Sequence, residues 1–249
     1  MARTPDEILA LARAELAPTG VLRAAINLSN FLLVTGTSPQ GDPVGVSPDM
    51  ARAVAERLGV PLKLIPFDNP GALADAALDG VWDIGNIGAV AQRAQTIVFS
   101  PAYAEIEATY LVPAGSPILR IKDVDREGMR IAVAARSAYG LWLSDNIRHA
   151  QLITANGLSG SFELFVDQAL DALSGLRPRL VHDLENLPGA RILDGQFTAV
   201  QQAIGTMPDR PNGAAFLHTF VEEAKTSGLV ENLCKKYKVF GQLTVAPFS

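Results

Sequence analysis

The sequence holds one cysteine, Cys234, which excludes an intrachain disulfide and any multi-cysteine metal site and leaves the redox compartment open. It falls in the apolar pattern of the last helix, where a small buried hydrophobe is expected. Three histidines, His149, His182 and His218, lie in unrelated contexts, too scattered for a metal site or a catalytic triad. No Gly-x-Ser-x-Gly, P-loop or dinucleotide fingerprint occurs, so neither a metal nor a cofactor is expected. Lys/Arg runs are absent and the formal net charge is −5, which argues against nucleic acid or an anionic membrane as partner. No apolar run is long enough to span a bilayer. The opening Met-Ala-Arg-Thr-Pro-Asp-Glu has no basic n-region followed by an apolar core. As written, the chain is expected to be soluble and not self-exporting: either it works in the cytoplasm, or a leader was removed and the numbering restarted.

What remains is an ordinary globular composition, 48% hydrophobic and 19% charged, with 21 Gly and 16 Pro spread along the chain. Its 249 residues suit two modest lobes or one large domain. Residues 5–16 place Ile8, Leu9, Ala12 and Leu16 on one helical face behind acidic residues that suit the dipole. A strand over 21–26 and an irregular stretch from Asn27 follow. The next helix is expected to be capped by Ser47, with Pro48 first and Gly59 as its stop. The unit repeats as strand 62–67, helix 70–79, strand 82–84 and a short helix near 91–96. Strands alternating with helices indicate a parallel, doubly wound sheet.

Residues 106–112 read as a strand leading away from this first series. A second begins after Pro113: strand 130–134, helix 137–147, strand 151–153, helix 161–166, strand 170–173 and helix 178–187. Strand 197–204 and two helices separated by Gly228 close the chain.

Several segments together carry a resemblance. They are Gln40-Gly-Asp-Pro-Val-Gly-Val-Ser-Pro-Asp-Met-Ala51, Trp82-Asp-Ile84, Gln92-Arg-Ala94, Val98-Phe-Ser-Pro-Ala-Tyr103, Gly128-Met-Arg-Ile-Ala-Val133 and Leu170-Asp-Ala172. In order and spacing they resemble the extracellular solute-binding proteins of family 3, which serve polar amino-acid ABC transporters. The resemblance implies an α/β fold of the type II periplasmic-binding-protein kind, with two lobes of doubly wound mixed sheet. Lobe 1 would be residues 1–110 plus 200–249, and lobe 2 the inserted 111–199. Strands near 106–112 and 197–204 would form the hinge, whose closure a ligand favours by binding the closed state better. The resemblance further implies a small carboxylate or amino-acid-like ligand, anionic on the charge reading below, clamped between the lobes for ABC-type transport or sensing, an ABC permease as partner, a monomer and a periplasmic location.

The same resemblance nominates site residues. Arg93 stands where the family's arginine grips a ligand carboxylate, a task that suits a planar guanidinium. Asn86 and Gly88 lie just upstream at an expected strand end, Asn86 as a donor and Gly88 as backbone; alternatively Gly85 and Gly88 simply let the turn form. Asn27, Ser29, Asn30 and Phe31 follow the first strand: Phe31 either stacks on the ligand or packs in the core, and the asparagines either contact the ligand or form turns. Ser137 is placed to cap a helix and to touch the ligand. Arg136 points either way. After Leu170-Asp-Ala172, amino-acid-binding members carry an Asp for the α-ammonium. This chain has Ser174-Gly-Leu-Arg-Pro-Arg179, so Arg177 either repels an ammonium and selects an anion or, with Arg179, sits on a solvated face.

A few proteins of this appearance are cyclohexadienyl dehydratases, in which a carboxylic acid acts as general acid. Glu105 and Glu107 are the candidates here for such a lyase acting on a carboxylated substrate. Surface or hinge charges are the stronger reading of both.

Overall fold

The Thr4 hydroxyl accepts from the Glu7 backbone N–H while the Glu7 carboxylate accepts from that of Thr4, and this capping box starts α1 (Pro5–Leu16). The structure, a computed structural model, describes residues 4–248. Strand β1 (Leu22–Asn27) follows α1, and a small antiparallel ribbon of β2 (Gly36–Thr37) and β3 (Pro43–Val44) leads into α2 (Val46–Leu58). Ser47 does not cap α2. Gly45 is the N-cap, and the Ser47 hydroxyl donates instead to the Leu33 carbonyl. The reason is close approach: a Cβ on Gly45 would lie 2.2 Å from the Leu33 oxygen, so only glycine admits the chain there.

Strand β4 (Leu62–Phe67) and α3 (Pro70–Asp75) come next, α3 being shorter than the expected 70–79. Strand β5 runs Ile84–Ala89 rather than over 82–84. Gly85 is therefore a strand residue, and its missing Cβ makes room for the Trp82 ring and Leu73, which a methyl would approach to 3.0–3.3 Å. Short β6 (Val98–Phe99) precedes the long β7 (Ala104–Val112).

The second series comprises β8 (Arg130–Ala134), α4 (Ala138–Asn146), β9 (Gln151–Ala155), α5 (Gly157–Asp167), β10 (Ala172–Leu176), α6 (Arg177–Leu184) and β11 (Arg191–Ile192). Helix α5 begins four residues before the expected Ser161, and β10 extends to Leu176, so Arg177 opens α6. Strand β12 (Thr198–Thr206), α7 (Pro211–Thr226), α8 (Leu229–Lys236) and β13 (Thr244–Val245) complete the chain. Gly228, in the left-handed conformation at φ 76°, separates α7 from α8.

The chain divides into two compact units, Met1–Glu105 with Gln201–Ser249, and Ile106–Val200. In the first, β4, β1 and β5 are parallel neighbours and β12 is antiparallel to β5. One sheet face packs Ala25 and Ile87 on Leu73 and Trp82. Met50, Val54 and Leu58 of α2, Leu16 of α1 and Leu217 of α7 are buried elsewhere in this unit. Buried Asp83 accepts from the Arg23 guanidinium at 2.8 and 2.9 Å and from Arg210 at 2.9 Å, neutralising a carboxylate that could not otherwise stay dry. In the second unit, β10 lies antiparallel to β7 and parallel to β8, which pairs with β9. Its core gathers Leu111, Ala132, Phe165, Leu173 and Leu180. The fold is thus two α/β lobes with mixed sheets, and strands β7 and β12 pass from one lobe to the other.

Candidate functional site

In lobe 1 the candidates lie along β5 and just past the ends of β1 and β5, near the edge at which open parallel sheets hold ligands. Four residues past Ala89 the chain enters a single 3₁₀ turn, Arg93–Gln95, which takes the place of the expected helix over 91–96. Arg93 is buried, 5% exposed. Its Nη1 donates to the Gly88 carbonyl at 2.7 Å, so strand β5 fixes the guanidinium. Arg93 and Gly88 are therefore brought together.

Asn86 lies within β5, not at its end, paired with Ile26 of β1 and Ile204 of β12. Alternation puts Asn86 and Gly88 on one face and Gly85 and Ile87 on the other, toward Leu73 and Trp82. The Asn86 side chain is 1% exposed, and neither its Oδ1 nor its Nδ2 has a hydrogen-bond partner among the described residues. Each such orphan costs about 1–3 kcal/mol. Opposite Gly88 on β12 stands Gln202, also buried. Sequence reasoning passed over it, although a glutamine pair inside the otherwise apolar 197–204 strand pattern was a visible signal.

The loop after β1 is built from Asx turns. Asn27 Oδ1 accepts from the Ser29 N–H and hydroxyl, and Asn30 Oδ1 accepts from the Leu32 N–H. Both side-chain oxygens thus serve the loop, and the amide N–H groups remain as donors to offer a ligand. Phe31 is 36% exposed, so it is not a core residue.

The Phe99-Ser-Pro-Ala-Tyr103 segment is architectural. The Ser100 hydroxyl donates to Pro101 and accepts from the Ile204 N–H, while Phe99 packs against the Trp82 cluster and Tyr103 is fully buried.

In lobe 2, Ser137 is the N-cap of α4: its hydroxyl accepts from the Gly140 N–H at 3.0 Å and donates to the Ala134 carbonyl at 2.8 Å. Beside it Arg136 is exposed and holds φ 57°, a left-handed conformation that costs a non-glycine residue about 1 kcal/mol or more. Burial pushes the phenol of neighbouring Tyr139 up to about 12.

Arg177 corrects the expectation of an uncompensated positive group. Its guanidinium is ion-paired with Glu107 and also donates to the Gly195 carbonyl, so its charge is neutralised within lobe 2. Arg179 pairs with Asp183 at 2.8 Å. Glu105, meanwhile, accepts from the Gln201 amide at 2.8 Å. Among the described residues no group of three or more His, Cys, Asp or Glu could hold a metal ion, and no helix is long and apolar enough to cross a membrane.

Comparison with known proteins agrees with this geometry. A mutant of ArgBP from T. maritima superposes with a TM-score of 0.71 at 20% identity, over 91% of this chain and 99% of that one. The ancestral amino acid-binding protein AncCDT-1, a precursor of cyclohexadienyl dehydratase, gives 0.70 at 19% identity over 92% and 99%. A putative ABC-transporter binding component from Wolinella succinogenes, complexed with lysine, gives 0.71 at 19% over 87% and 95%. These likenesses establish the type II periplasmic-binding-protein architecture. No curated protein matches the chain significantly. The model of the bacterial extracellular solute-binding proteins, family 3, matches residues 31–242, and the chain belongs to that family.

Proposed function

We propose that this protein clamps a small amino-acid-like or carboxylate solute between its lobes and delivers it to an ABC permease from the extracytoplasmic side of the membrane. The observation that carries this reading is Arg93, a buried guanidinium anchored on the Gly88 carbonyl at the end of β5, in a chain of this family. A carboxylate meeting it forms two parallel charge-assisted hydrogen bonds in a site that water scarcely reaches. The solved relatives that share the fold include proteins bound to arginine and to lysine, which supports an amino-acid-sized solute.

The finer reading is that the solute lacks an α-ammonium. After β10 this chain carries Leu176-Arg177 where the resemblance implies an acidic residue, and Glu107 is already engaged by Arg177. Mass spectrometry of the solute that co-purifies, followed by calorimetry with that compound, tests both levels. A carboxylate without an amine fits the full proposal. A zwitterion keeps the transport role and removes the charge selection. A cation without a carboxylate overturns the role of Arg93. Binding is favoured over lyase chemistry because Glu105 and Glu107 are both held by neighbours in their own lobes. Prolonged incubation with cyclic and aliphatic carboxylates should return them unchanged.

A further inference from the structure

Helix α1 is held to α7 by its C-terminal half. A Cβ on Gly213 would lie 2.7 Å from the Leu16 side chain, so the absence of one lets the two helices touch there. The Glu15 carboxylate accepts from the Gly213 N–H at 2.7 Å and from the Asn212 amide, while Arg13 ties the same half of α1 to the end of α2 by donating to the Leu58 carbonyl at 2.6 Å. The first turns of α1 are not fastened in this way. Between them and α7 lies a hollow of about 510 Å³ whose apolar lining includes Ile8, Leu9, Phe216 and Phe220. Ile8 remains 45% exposed at its edge, and the two phenylalanine rings stack 6.2 Å apart. The family match begins at residue 31, so α1, one wall of this hollow, lies outside it.

Charge selects the occupant. Among the described residues, the ionisable ones lining the hollow are Asp6, Arg57 and Glu223. Arg57 and Glu223 are already paired with each other, which leaves the Asp6 carboxylate as the net charge. The partial positive charge at the α1 N-terminus is about half a unit and tempers Asp6 without cancelling it. Beyond the ion pair a second hollow of about 340 Å³ shares Arg57, Phe220 and Glu223 and adds Glu56, so the surroundings are acidic on that side as well. The volume falls within the range of sites for small organic ligands. An ammonium suits both the carboxylate and the faces of phenylalanine rings.

We propose that this hollow is a second ligand site, independent of Arg93, for a small organic amine with an aromatic or aliphatic body. The body lies on Phe216 and Phe220 and the ammonium faces Asp6. Calorimetric titration of the whole chain with tryptamine, indole-3-ethanol and indole-3-propionate tests it, since the three share one body and differ in charge. Tryptamine should bind saturably at one site, about three- to fivefold more tightly than the neutral alcohol, as an exposed ion pair allows. Asp6→Asn should erase that preference. Thr219→Trp, at an exposed α7 position lining the hollow, should fill the space and abolish binding while thermal stability is retained. Arg93→Ala should leave tryptamine binding unchanged, which separates this site from the one proposed above. Absence of saturable binding, equal binding to the Thr219→Trp protein, or a propionate that binds as tightly as the amine would each overturn the proposal.

Discussion

A guanidinium buried to 5% exposure is expensive to keep dry, and the Gly88 carbonyl accepts from its Nη1. Arg93→Ala is therefore expected to do little harm to folding and much to binding. Losing one member of a desolvated pair costs about 2–5 kcal/mol, or at least about thirtyfold in Kd for a carboxylate solute, measured by calorimetry. Near-normal affinity would remove Arg93 as the anchor. Asn86 poses the complementary case, because its amide has no partner among the described residues. Replacing an orphaned buried amide by an apolar group of similar size removes a desolvation penalty. Asn86→Leu should thus stabilise the solute-free protein by about 1 kcal/mol, a rise of a few degrees in Tm, while weakening solute binding. A loss of stability instead would mean that the amide is satisfied by something internal, such as an ordered water. Asp83 shows the opposite balance. With Arg23 and Arg210 both bonded to it, Asp83→Asn should cost about 3–5 kcal/mol in chemical denaturation.

At the scale of elements, long-range polar contacts tie the helices of lobe 1 together. The α7 N-terminus has no side-chain cap of its own and takes Glu15 of α1 instead. Glu15→Ala should cost about 0.5–2 kcal/mol, the usual worth of an N-cap. Helices α2 and α8 meet through Asp49, which accepts from Lys236 and Tyr237 at 2.7 Å. Burial works to raise the Asp49 carboxyl, but the Lys236 and Tyr237 hydrogen bonds outweigh it and hold the carboxyl below the ordinary value. A depressed folded-state value contributes stability that is present above the unfolded-state range near 3.9 and is lost as pH falls through the folded value. Asp49→Asn should therefore lower stability at neutral pH and flatten its acid dependence below about pH 4, as followed by thermal melts across pH.

Helices with strong local signals could be read from the sequence. Helix α1 has its acidic start, α2 its Gly59 stop, and α4 its Ser137 cap, and each signal acts within one turn. What escaped were features set by tertiary packing. The local pattern predicts a strand only over 82–84, with Gly85 and Gly88 open to a turn, yet Gly85 is there to admit Trp82 and Leu73, and β12, distant in sequence, supplies the pairing that extends β5. Gly45 displaced Ser47 as the α2 cap because of Leu33. The environment of Arg177 was equally hidden, since Arg177 opens α6 and its partner Glu107 lies on β7, 70 positions away.

For the molecule as a whole, the two lobes differ in how the chain builds them. The second, Ile106–Val200, is one continuous stretch with its own core of Leu111, Ala132, Phe165 and Leu173. The first needs the tail, because β5 pairs on one side with β12, and α7 places Phe216, Leu217, Phe220 and Val221 in the interior. Without residues 201–249 the β5 edge would lose its ladder at Asn86 and Gly88, and Leu16 and Glu15 of α1 would lose their packing and capping partners. Autonomous folding follows a complete core rather than chain length. A peptide of residues 106–200 is therefore expected to show a cooperative thermal transition in circular dichroism. One of residues 1–105 should show none until 201–249 is supplied with it. In the intact chain, saturating solute at a hundred times its Kd should add about 2.7 kcal/mol of stability by mass action, and Arg93→Ala should cancel that gain. If the 1–105 peptide folds alone, the tail is dispensable, and lobe 1 owes its order to β1, β4 and β5 without β12.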